Sequence, residues 1–143
     1  MVLINSISAS QTYAIRKEVL RDGLDLPVVF DGDTAVTSFH LGAFDQNELV
    51  AVSSYLKTNN PEFQKEQYQL RGMATRPAHR GIGCGKAMLL KAEEMLREKE
   101  CQLLWFNARE VALNFYIKLG YQVLGDPFDI PAIGLHYVMF KKL

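Results

Sequence analysis

The spacing of apolar residues along the chain predicts three helices separated by extended segments. Apolar positions recur at helical spacing in 10–21, from the turn at 80–85 to about 97, and in 110–119. Extended segments, rich in β-branched and aromatic residues, are predicted at 2–7, 35–44, 48–57, 70–74, 103–108, 121–124 and 136–140. This order predicts an α/β domain of the α+β type, with a mixed, largely antiparallel central sheet and helices on both faces.

Turn-forming residues set the predicted ends of these elements. Loops are predicted at 22–33, 58–66 and 125–135. Residues 35–44 and 48–57 are predicted to form a β-hairpin, with Val36 inside its first strand. Ser10 is predicted to cap the first helix. The inward positions of that helix are then Ala14, Ile15, Val19 and Leu20.

Length and composition narrow the class of protein. The 143 residues predict one domain, 1–143, with a sizeable core. Lys plus Arg equals Asp plus Glu at 16 each, which argues against a nucleic acid as partner. Neither a signal peptide nor a membrane span is predicted. Cys84 and Cys101 lie at opposite ends of one predicted helix, too far apart for a disulfide, so free thiols, no metal site and a cytoplasmic location are expected.

A glycine-rich turn at 80–85, Arg-Gly-Ile-Gly-Cys-Gly, opens the longest predicted helix. Three glycines at alternate positions leave the backbone N–H groups unshielded where the helix dipole is positive, which favours binding of a phosphate or pyrophosphate. Ala87 after Gly85-Lys86 excludes a P-loop, and Lys86 in place of a third glycine argues against a dinucleotide fingerprint. The alternative is a connector shaped for packing alone.

A second region carries Phe115-Tyr116, followed by Gly120-Tyr121, after a predicted strand and within a helix. Together, the order arginine-x-x-glycine-x-glycine and the pattern FYxxxGY resemble the GNAT (Gcn5-related) N-acetyltransferase superfamily. The ending IPAIGLHYVMFKKL is also similar to a bacterial acetyltransferase subgroup. The resemblance covers about residues 65 to 143, and it is weaker in the first half of the chain.

The resemblance implies an N-acetyltransferase that uses acetyl-CoA as co-substrate and acetylates a primary amine of a small molecule or peptide. It places the thioester against the backbone near Gly72, where a glycine within a strand indicates a bulge, a close approach or a simple irregularity. The cofactor-binding residues that it implies are Met73, Ala74, Thr75, Arg80, Gly81, Ile82, Gly83, Cys84, Gly85, Lys86, Asn107 and Tyr116. Cys84 is otherwise interpreted as a small filler whose thiol faces the core.

Tyr116 is the candidate acid for the leaving thiolate, or else a core aromatic like Phe115. Complete proton transfer from an ordinary phenol to such a thiolate is uphill by about 2 kcal/mol, so a hydrogen bond is the expected contribution. His136 and His40 are candidate general bases, beside water, Glu110 and Asp129.

Other assignments stay open at this point. Arg109 occupies the position where many members have a cofactor-contacting asparagine, and Asn107 either replaces that contact or caps the following helix. Arg16 and Arg21 either bind an acidic acceptor or are ordinary surface charges, and His79 is interpreted as a solvated loop residue.

Two other functions remain possible on the sequence: a non-catalytic acyl-CoA-binding or sensing domain, and a nucleotide-binding module. The loops at 22–33 and 125–135 are expected to choose the acceptor. A homodimer is possible because proteins of this fold often pair through their C-terminal strands.

Overall fold

The computed structural model describes residues 2–143, and seven strands form one sheet. The strands are β1 (Val2–Ile7), β2 (Phe39–Asp45), β3 (Glu48–Leu56), β4 (Gln67–Thr75), β5 (Leu103–Arg109), β6 (Gln122–Ile130) and β7 (Gly134–Lys142). Their spatial order is β1-β2-β3-β4-β5-β7-β6. Of the strand pairs in these described residues, β4–β5 alone is parallel, and the other five are antiparallel.

The helices lie on both faces of this sheet. Helix α1 is composite: a 3-10 turn, Ser10–Thr12, a short α-helical segment, Tyr13–Ile15, and a π-helical turn, Arg16–Leu20. Helix α2 is Cys84–Glu98 and helix α3 is Leu113–Lys118. Short 3-10 turns, Pro77–His79 and Glu110–Ala112, precede α2 and α3. The predicted fold class is confirmed.

Each face of the sheet has its own core cluster. Met88 and Leu96 of α2 are fully buried against strand residues such as Phe106, in a cluster that also contains Tyr116 of α3. On the other face, Ile15 of α1 packs with Val52 and Ala74. Burial of each large apolar side chain contributes about 2 kcal/mol, so both clusters hold their helices on the sheet.

Glu93 forms a polar centre within the α2 face. Its carboxylate accepts hydrogen bonds from the Tyr121 hydroxyl at 2.8 Å and from the Lys141 ammonium at 3.0 Å. Burial, followed by the nearby Glu93 charge, raises the pKa of Tyr121 far above its usual range. The three residues come from α2, the turn after α3 and β7, so the contact joins distant segments of the chain.

The first half of the chain differs from the prediction in several details. Helix α1 ends at Leu20 rather than at residue 21, Ser10 makes no capping hydrogen bond, and Ala14 is exposed. Strand β2 begins at Phe39, whereas the prediction placed Val36 in a strand; Val36 is fully exposed. Residues 31–38 instead form consecutive turns, because the chain doubles back to bring Asp33 under α1.

The predicted loop at 125–135 is wrong. Strands β6 and β7 form a long hairpin whose turn occupies residues 131–133. The turn-forming residues Gly125 and Pro127 misled the prediction because they lie at a register shift between Leu124 and Phe128. Strand β6 is at the edge of the sheet, where a proline costs no ladder hydrogen bond if its nitrogen faces outward.

Cys84 and Cys101 are free, buried thiols, as predicted. Burial is the largest cause that raises the pKa of both thiols. Among residues 2–143, no helix is long and apolar enough to cross a membrane.

Candidate active site

Strands β4 and β5 separate partway along their length and open a cleft. Their parallel pairing covers three residue pairs and ends at Gln69 and Trp105. Beyond this point β4 pairs with β3, and β5 pairs with β7, so the facing edges of β4 and β5 are left without strand partners. The resulting cleft has a volume of about 870 Å³. Unpaired strand edges offer N–H and C=O groups to an extended ligand.

Gly72 marks the point on β4 where the cleft opens. The register jumps from the pair Ser54–Arg71 to the pair Val52–Ala74, so two residues of β4 oppose one of β3. Gly72 has a φ of +65°, as in a bulge that begins with a left-handed glycine. A β-carbon at this position would lie 2.8 Å from Phe30 Cε2. The glycine therefore serves both a bulge and a close approach, two of the interpretations considered for it.

The glycine-rich turn lies at the end of the cleft, where α2 begins. Gly81 and Gly83 have φ values of +82° and +89°, and a β-carbon at either position would meet no atom within 4 Å, so backbone conformation alone selects glycine there. Gly85 differs, because a β-carbon would lie 3.3 Å from Phe115 Cζ and 3.4 Å from Met73 Sδ. Close packing therefore explains why Gly85 is a glycine, whereas the left-handed backbone explains Gly81 and Gly83.

The amides of this turn are available to a ligand. Across the part of the chain that the structure describes, no acceptor receives a hydrogen bond from the N–H groups of Gly81, Gly83 or Gly85. The first intrahelical bond at this end runs from Ala87 N–H to the Gly83 carbonyl. Arg80 and Lys86 flank the turn and are exposed. Free amides at a helix N-terminus with adjacent cations form an anion site.

Tyr116 places its hydroxyl in the cleft between α3 and β4. It is buried, and the hydroxyl donates to the Met73 sulfur at 3.7 Å. Burial raises the pKa of Tyr116 to about 12, so the phenol stays neutral at physiological pH. Phe115, predicted to be a core residue, is instead 39% exposed, because its ring covers Gly85 at the cleft rim.

His136 and His79 both line the cleft, and each has a ring nitrogen without a hydrogen-bond partner among the described residues. Nδ1 of His136 donates to the Gly134 carbonyl at 2.7 Å, because a carbonyl can only accept. Neutral His136 then keeps a lone pair on Nε2. It lies opposite Arg109 of β5 in the strand register, and it is buried.

His40 is not placed for proton transfer in the cleft. Its Nε2 bonds the Asp33 carbonyl at 2.8 Å, and its Nδ1 bonds the Ser54 hydroxyl at 2.7 Å. Both ring nitrogens of His40 are therefore occupied by hydrogen bonds to Ser54 and Asp33, which in turn bind Arg16 of α1. His79 is half-buried beside the glycine turn, rather than fully solvated, and its Nε2 lies 3.9 Å from an Asp45 oxygen.

Arg16 is fully buried, which contradicts its interpretation as an ordinary surface charge. Its guanidinium donates to both Asp33 oxygens, at 2.7 and 3.0 Å, to the Ser54 hydroxyl and to the Val28 carbonyl. Burial alone would raise the pKa of Asp33, but the hydrogen bonds from Arg16 and from the Phe30 amide outweigh it and lower that pKa. Arg16 is thus a structural residue beneath the cleft.

The cleft brings together nearly all the residues that the resemblance implied. Those that line it are Met73, Ala74, Thr75, Arg80, Gly81, Gly83, Cys84, Gly85, Lys86, Asn107, Tyr116 and His136. Ile82 is the exception, since its side chain is exposed outside the lining. Asn107 lines the cleft together with Arg109, and it makes no capping hydrogen bond to the following helix. Glu110 and Asp129, the other candidate bases, are exposed and lie outside it.

Sequence reasoning missed the residues at the end of the cleft that faces α1. Phe30 and Arg71 line this end together with Arg21 and Arg109. The charged Arg71, between Leu70 and Gly72 in a predicted strand, was the available signal for this end. Phe30 gave no comparable signal, because it lies in a predicted loop and folds under α1 only in the tertiary structure.

A sheet that opens between two parallel strands beside a glycine-rich helix start defines the acyltransferase class that the resemblance predicted. The profile of the Acetyltransferase (GNAT) family matches residues 8–121, and the chain belongs to this family.

Individual relatives agree with this assignment. The uncharacterized N-acetyltransferase YitI of Bacillus subtilis (strain 168) is 39% identical over 145 residues, which span 100% of this chain and 97% of that protein. The crystal structure of a putative N-acetyltransferase from Lactobacillus plantarum superposes with a TM-score of 0.82 and 23% identity, over 99% of this chain and 98% of that one. An aminoglycoside 6'-N-acetyltransferase crystallised with coenzyme A gives a TM-score of 0.78 and 13% identity, over 98% and 96% of the two chains. At these identities, the two structures establish the fold.

Proposed function

We propose that the protein is an N-acetyltransferase that moves an acetyl group from acetyl-CoA to a primary amine of a small molecule or peptide, by direct attack in a ternary complex. One observation carries the proposal: the free amides at the start of α2 open into the same cleft as the neutral Tyr116 hydroxyl. A family of acetyltransferases, and a structural neighbour crystallised with coenzyme A, support the same co-substrate.

In this proposal the glycine turn binds the pyrophosphate of the co-substrate. The amides of Gly81, Gly83 and Gly85 donate to its oxygens, and Arg80 and Lys86 add positive charge. The pantetheine arm lies between the open edges of β4 and β5, where unpaired backbone groups near Thr75 and Asn107 continue the ladder. This arrangement directs the thioester toward the bulge at Gly72.

The bulge in β4 provides a hydrogen-bond donor for the negative charge that develops during the reaction. Because two residues of β4 oppose one of β3, a backbone N–H in this part of β4 is left out of the ladder. That donor stabilises the negative charge that develops on the thioester oxygen when the amine nitrogen bonds to the carbonyl carbon. Holding both reactants in line at this point removes much of the entropic cost of their encounter.

Two side chains handle the protons. Nε2 of His136 accepts a proton from the attacking amine, and Tyr116 donates a hydrogen bond to the sulfur as the carbon–sulfur bond breaks. With a pKa near 12 for Tyr116 and about 8.5 for an alkyl thiol, complete proton transfer is uphill by about 5 kcal/mol. Tyr116 therefore stabilises the thiolate by hydrogen bonding, and solvent supplies the final proton.

Cys84 is not an acyl carrier in this scheme. Its sulfur is buried and turned toward the His79 carbonyl, 4.0 Å away. Burial and the Asp45 charge raise the pKa of its thiol, which disfavours the nucleophilic thiolate. Direct transfer from acetyl-CoA to the amine follows.

Titration calorimetry tests the binding step. Acetyl-CoA and CoA are expected to bind with micromolar dissociation constants, and ATP and NAD much more weakly. Release of free CoA thiol across a panel of amines then tests catalysis. Absence of binding at millimolar acetyl-CoA overturns the proposal. Tight binding with no thiol release for any amine identifies a non-catalytic acyl-CoA-binding domain instead.

A further inference from the structure

The cleft continues past the bulge to the α1 face of the sheet, where it is lined by arginines. Arg71 precedes Gly72, and its guanidinium carbon lies 4.2 Å from the centre of the Phe30 ring. Arg16 lies 3.8 Å from the same centre. Met73, two residues along β4, contacts Tyr116 on the opposite face. Arg71 therefore lies across the bulge from the part of the cleft assigned to the co-substrate.

The arginine end, defined by Arg21, Arg71 and Arg109, carries positive charge without carboxylate partners. None of the three lies within 4.0 Å of a carboxylate among residues 2–143. Within the described part of the chain, Arg21 donates only to the backbone carbonyls of Pro27 and Leu20. Three guanidinium groups thus share one end of the cleft with their charge uncompensated by direct pairing.

The neighbouring acidic groups do not neutralise this end. Asp33 accepts hydrogen bonds from both terminal guanidinium nitrogens of Arg16, and one of its oxygens also accepts from the Phe30 amide. Asp31 is exposed, and it acts on Arg71 through charge alone, without a direct contact. The net charge at the arginine end of the cleft is therefore positive.

The pKa directions agree with this charge balance. Burial, followed by the charges of Arg16 and Arg21, lowers the pKa of Arg71. Burial, followed by the charges of Arg109 and Arg16, lowers the pKa of Arg21. The cations repel each other, so an anion placed among them relieves an existing cost.

We propose that the arginine end binds an oxyanion of the acceptor, so that the substrate is a primary amine with a carboxylate or phosphate a few bonds away. This inference rests on the proposed function, because it assumes that an amine approaches the thioester at Gly72 from the α1 face. A guanidinium presents paired N–H donors that match either oxyanion. Arg71, adjacent to the bulge, binds the anion while Nε2 of His136 faces the amine.

Kinetics with matched amines test the assignment. The panel consists of amino carboxylic acids of increasing length, the primary amides of the same acids, and aminoalkyl phosphates of the same lengths. With saturating acetyl-CoA, the anionic amines are expected to exceed their neutral counterparts in kcat/KM by about 10-fold or more. Preference for carboxylates or for phosphates supports the proposal and identifies which oxyanion is recognised.

Two substitutions connect this preference to the residues. Arg71→Gln and Arg109→Gln are each expected to raise KM for the anionic amine by about 10-fold, with the neutral amines and KM for acetyl-CoA unchanged. Arg71→Lys is expected to restore part of the loss, since it retains charge but not the planar fork. Arg97→Gln, an exposed arginine near the end of α2, is the matched control. If Arg71→Gln disturbs folding, exposed Arg109 still provides the test, and Arg109→Glu is expected to reverse the preference.

The result that overturns the inference is equal use of anionic and neutral amines, or an anionic preference that survives both glutamine substitutions. Calorimetric titration of the CoA-saturated protein with the same amines gives a readout that does not require turnover, and absence of any anion preference there overturns it too. If neutral amines are acetylated as readily as anionic ones, the inference about the arginine end is refuted but the proposed function is not. Failure of every variant and of the parent protein to bind acetyl-CoA refutes the proposed function as well.

Discussion

The Tyr116 hydroxyl donates to the Met73 sulfur across 3.7 Å, from α3 to the bulged part of β4. A thioether is a weak acceptor, so this hydrogen bond is readily exchanged for one to a stronger acceptor. In the proposed mechanism, a thiolate that leaves beside Met73 is such an acceptor. On that proposal, the hydroxyl is oriented toward the leaving group before acetyl-CoA binds.

Tyr116→Phe removes this donor and keeps the ring that packs on Phe106. We expect kcat to fall about 100-fold, as for loss of a hydrogen-bond donor aimed at developing charge, with KM for acetyl-CoA nearly unchanged. Because the pKa of Tyr116 lies near 12, the parent enzyme loses no activity through this group below about pH 11. Steady-state kinetics across pH measure both effects.

Tyr68→Phe is the control for this substitution. The Tyr68 hydroxyl donates to the Thr37 carbonyl at 2.9 Å, outside the cleft. Its loss is expected to cost about 1 kcal/mol of stability and no activity. A Tyr116→Phe enzyme with the parent kcat would exclude the hydroxyl from catalysis.

Gly83→Ala tests the anion site at the start of α2. The left-handed φ of +89° makes alanine unfavourable there by about 1 kcal/mol, and relaxation of that strain moves the adjacent amides. The dissociation constant for CoA is expected to rise about 10-fold through weakened charged hydrogen bonds, as measured by calorimetry.

Gly125→Ala is the control that distinguishes a specific loss of CoA affinity from a general effect of backbone strain. Gly125 has a φ of +72° and open space at its β-carbon position, but it lies on β6, away from the turn. Both variants are expected to lose similar stability, with only Gly83→Ala weakening CoA binding. Equal CoA affinity in the two would contradict the anion site.

His136→Asn tests the general base. The asparagine amide nitrogen occupies about the place of Nδ1 and retains a donor for the Gly134 carbonyl, while Nε2 is deleted. We expect kcat/KM to fall about 100-fold, as measured by steady-state kinetics. An unchanged kcat/KM would assign the proton to water relayed from bulk solvent.

Asp33→Asn leaves the Arg16 charge buried without its counter-ion. The free energy of unfolding is expected to fall by about 3 kcal/mol, as measured by urea denaturation. Arg16→Met combined with Asp33→Leu should cost less than the sum of the single changes, because no charge is left unpaired. A loss near zero in Asp33→Asn would contradict the structural role.

The same pair contributes to pH dependence. The folded-state pKa of Asp33 is lowered, so its contribution to stability is complete above the unfolded value near 4 and is lost as pH falls through the folded one. The acid limb of the stability curve is expected to flatten in Asp33→Asn. Urea denaturation at successive pH values compares the two proteins.

Local patterns in the sequence were sufficient for the glycine turn, the FYxxxGY helix and the free cysteines. Each depends on residues close together in the chain, such as Gly81 and Gly83 before a helical run, whose conformation follows from backbone chemistry. The bulge at Gly72 was likewise among the predicted alternatives. The single domain and the oligomeric state stay predictions.

Other features depend on contacts between residues far apart in the chain. The pairing of the last two strands was predicted, but the full length of their hairpin was missed, because Pro127 is tolerated only where a strand lies at the sheet edge. The burial of Arg16 required Asp33 and Ser54, 17 and 38 residues away, to replace its water.

By itself, the sequence determined the class of fold, the family and the position of the glycine-rich turn, because periodicity and short motifs encode local geometry. Only the tertiary structure decided which arginines line the cleft beside α1 and which histidines lie on its wall. Charge, burial and hydrogen-bond partners at a site are set by segments that meet only when the chain folds.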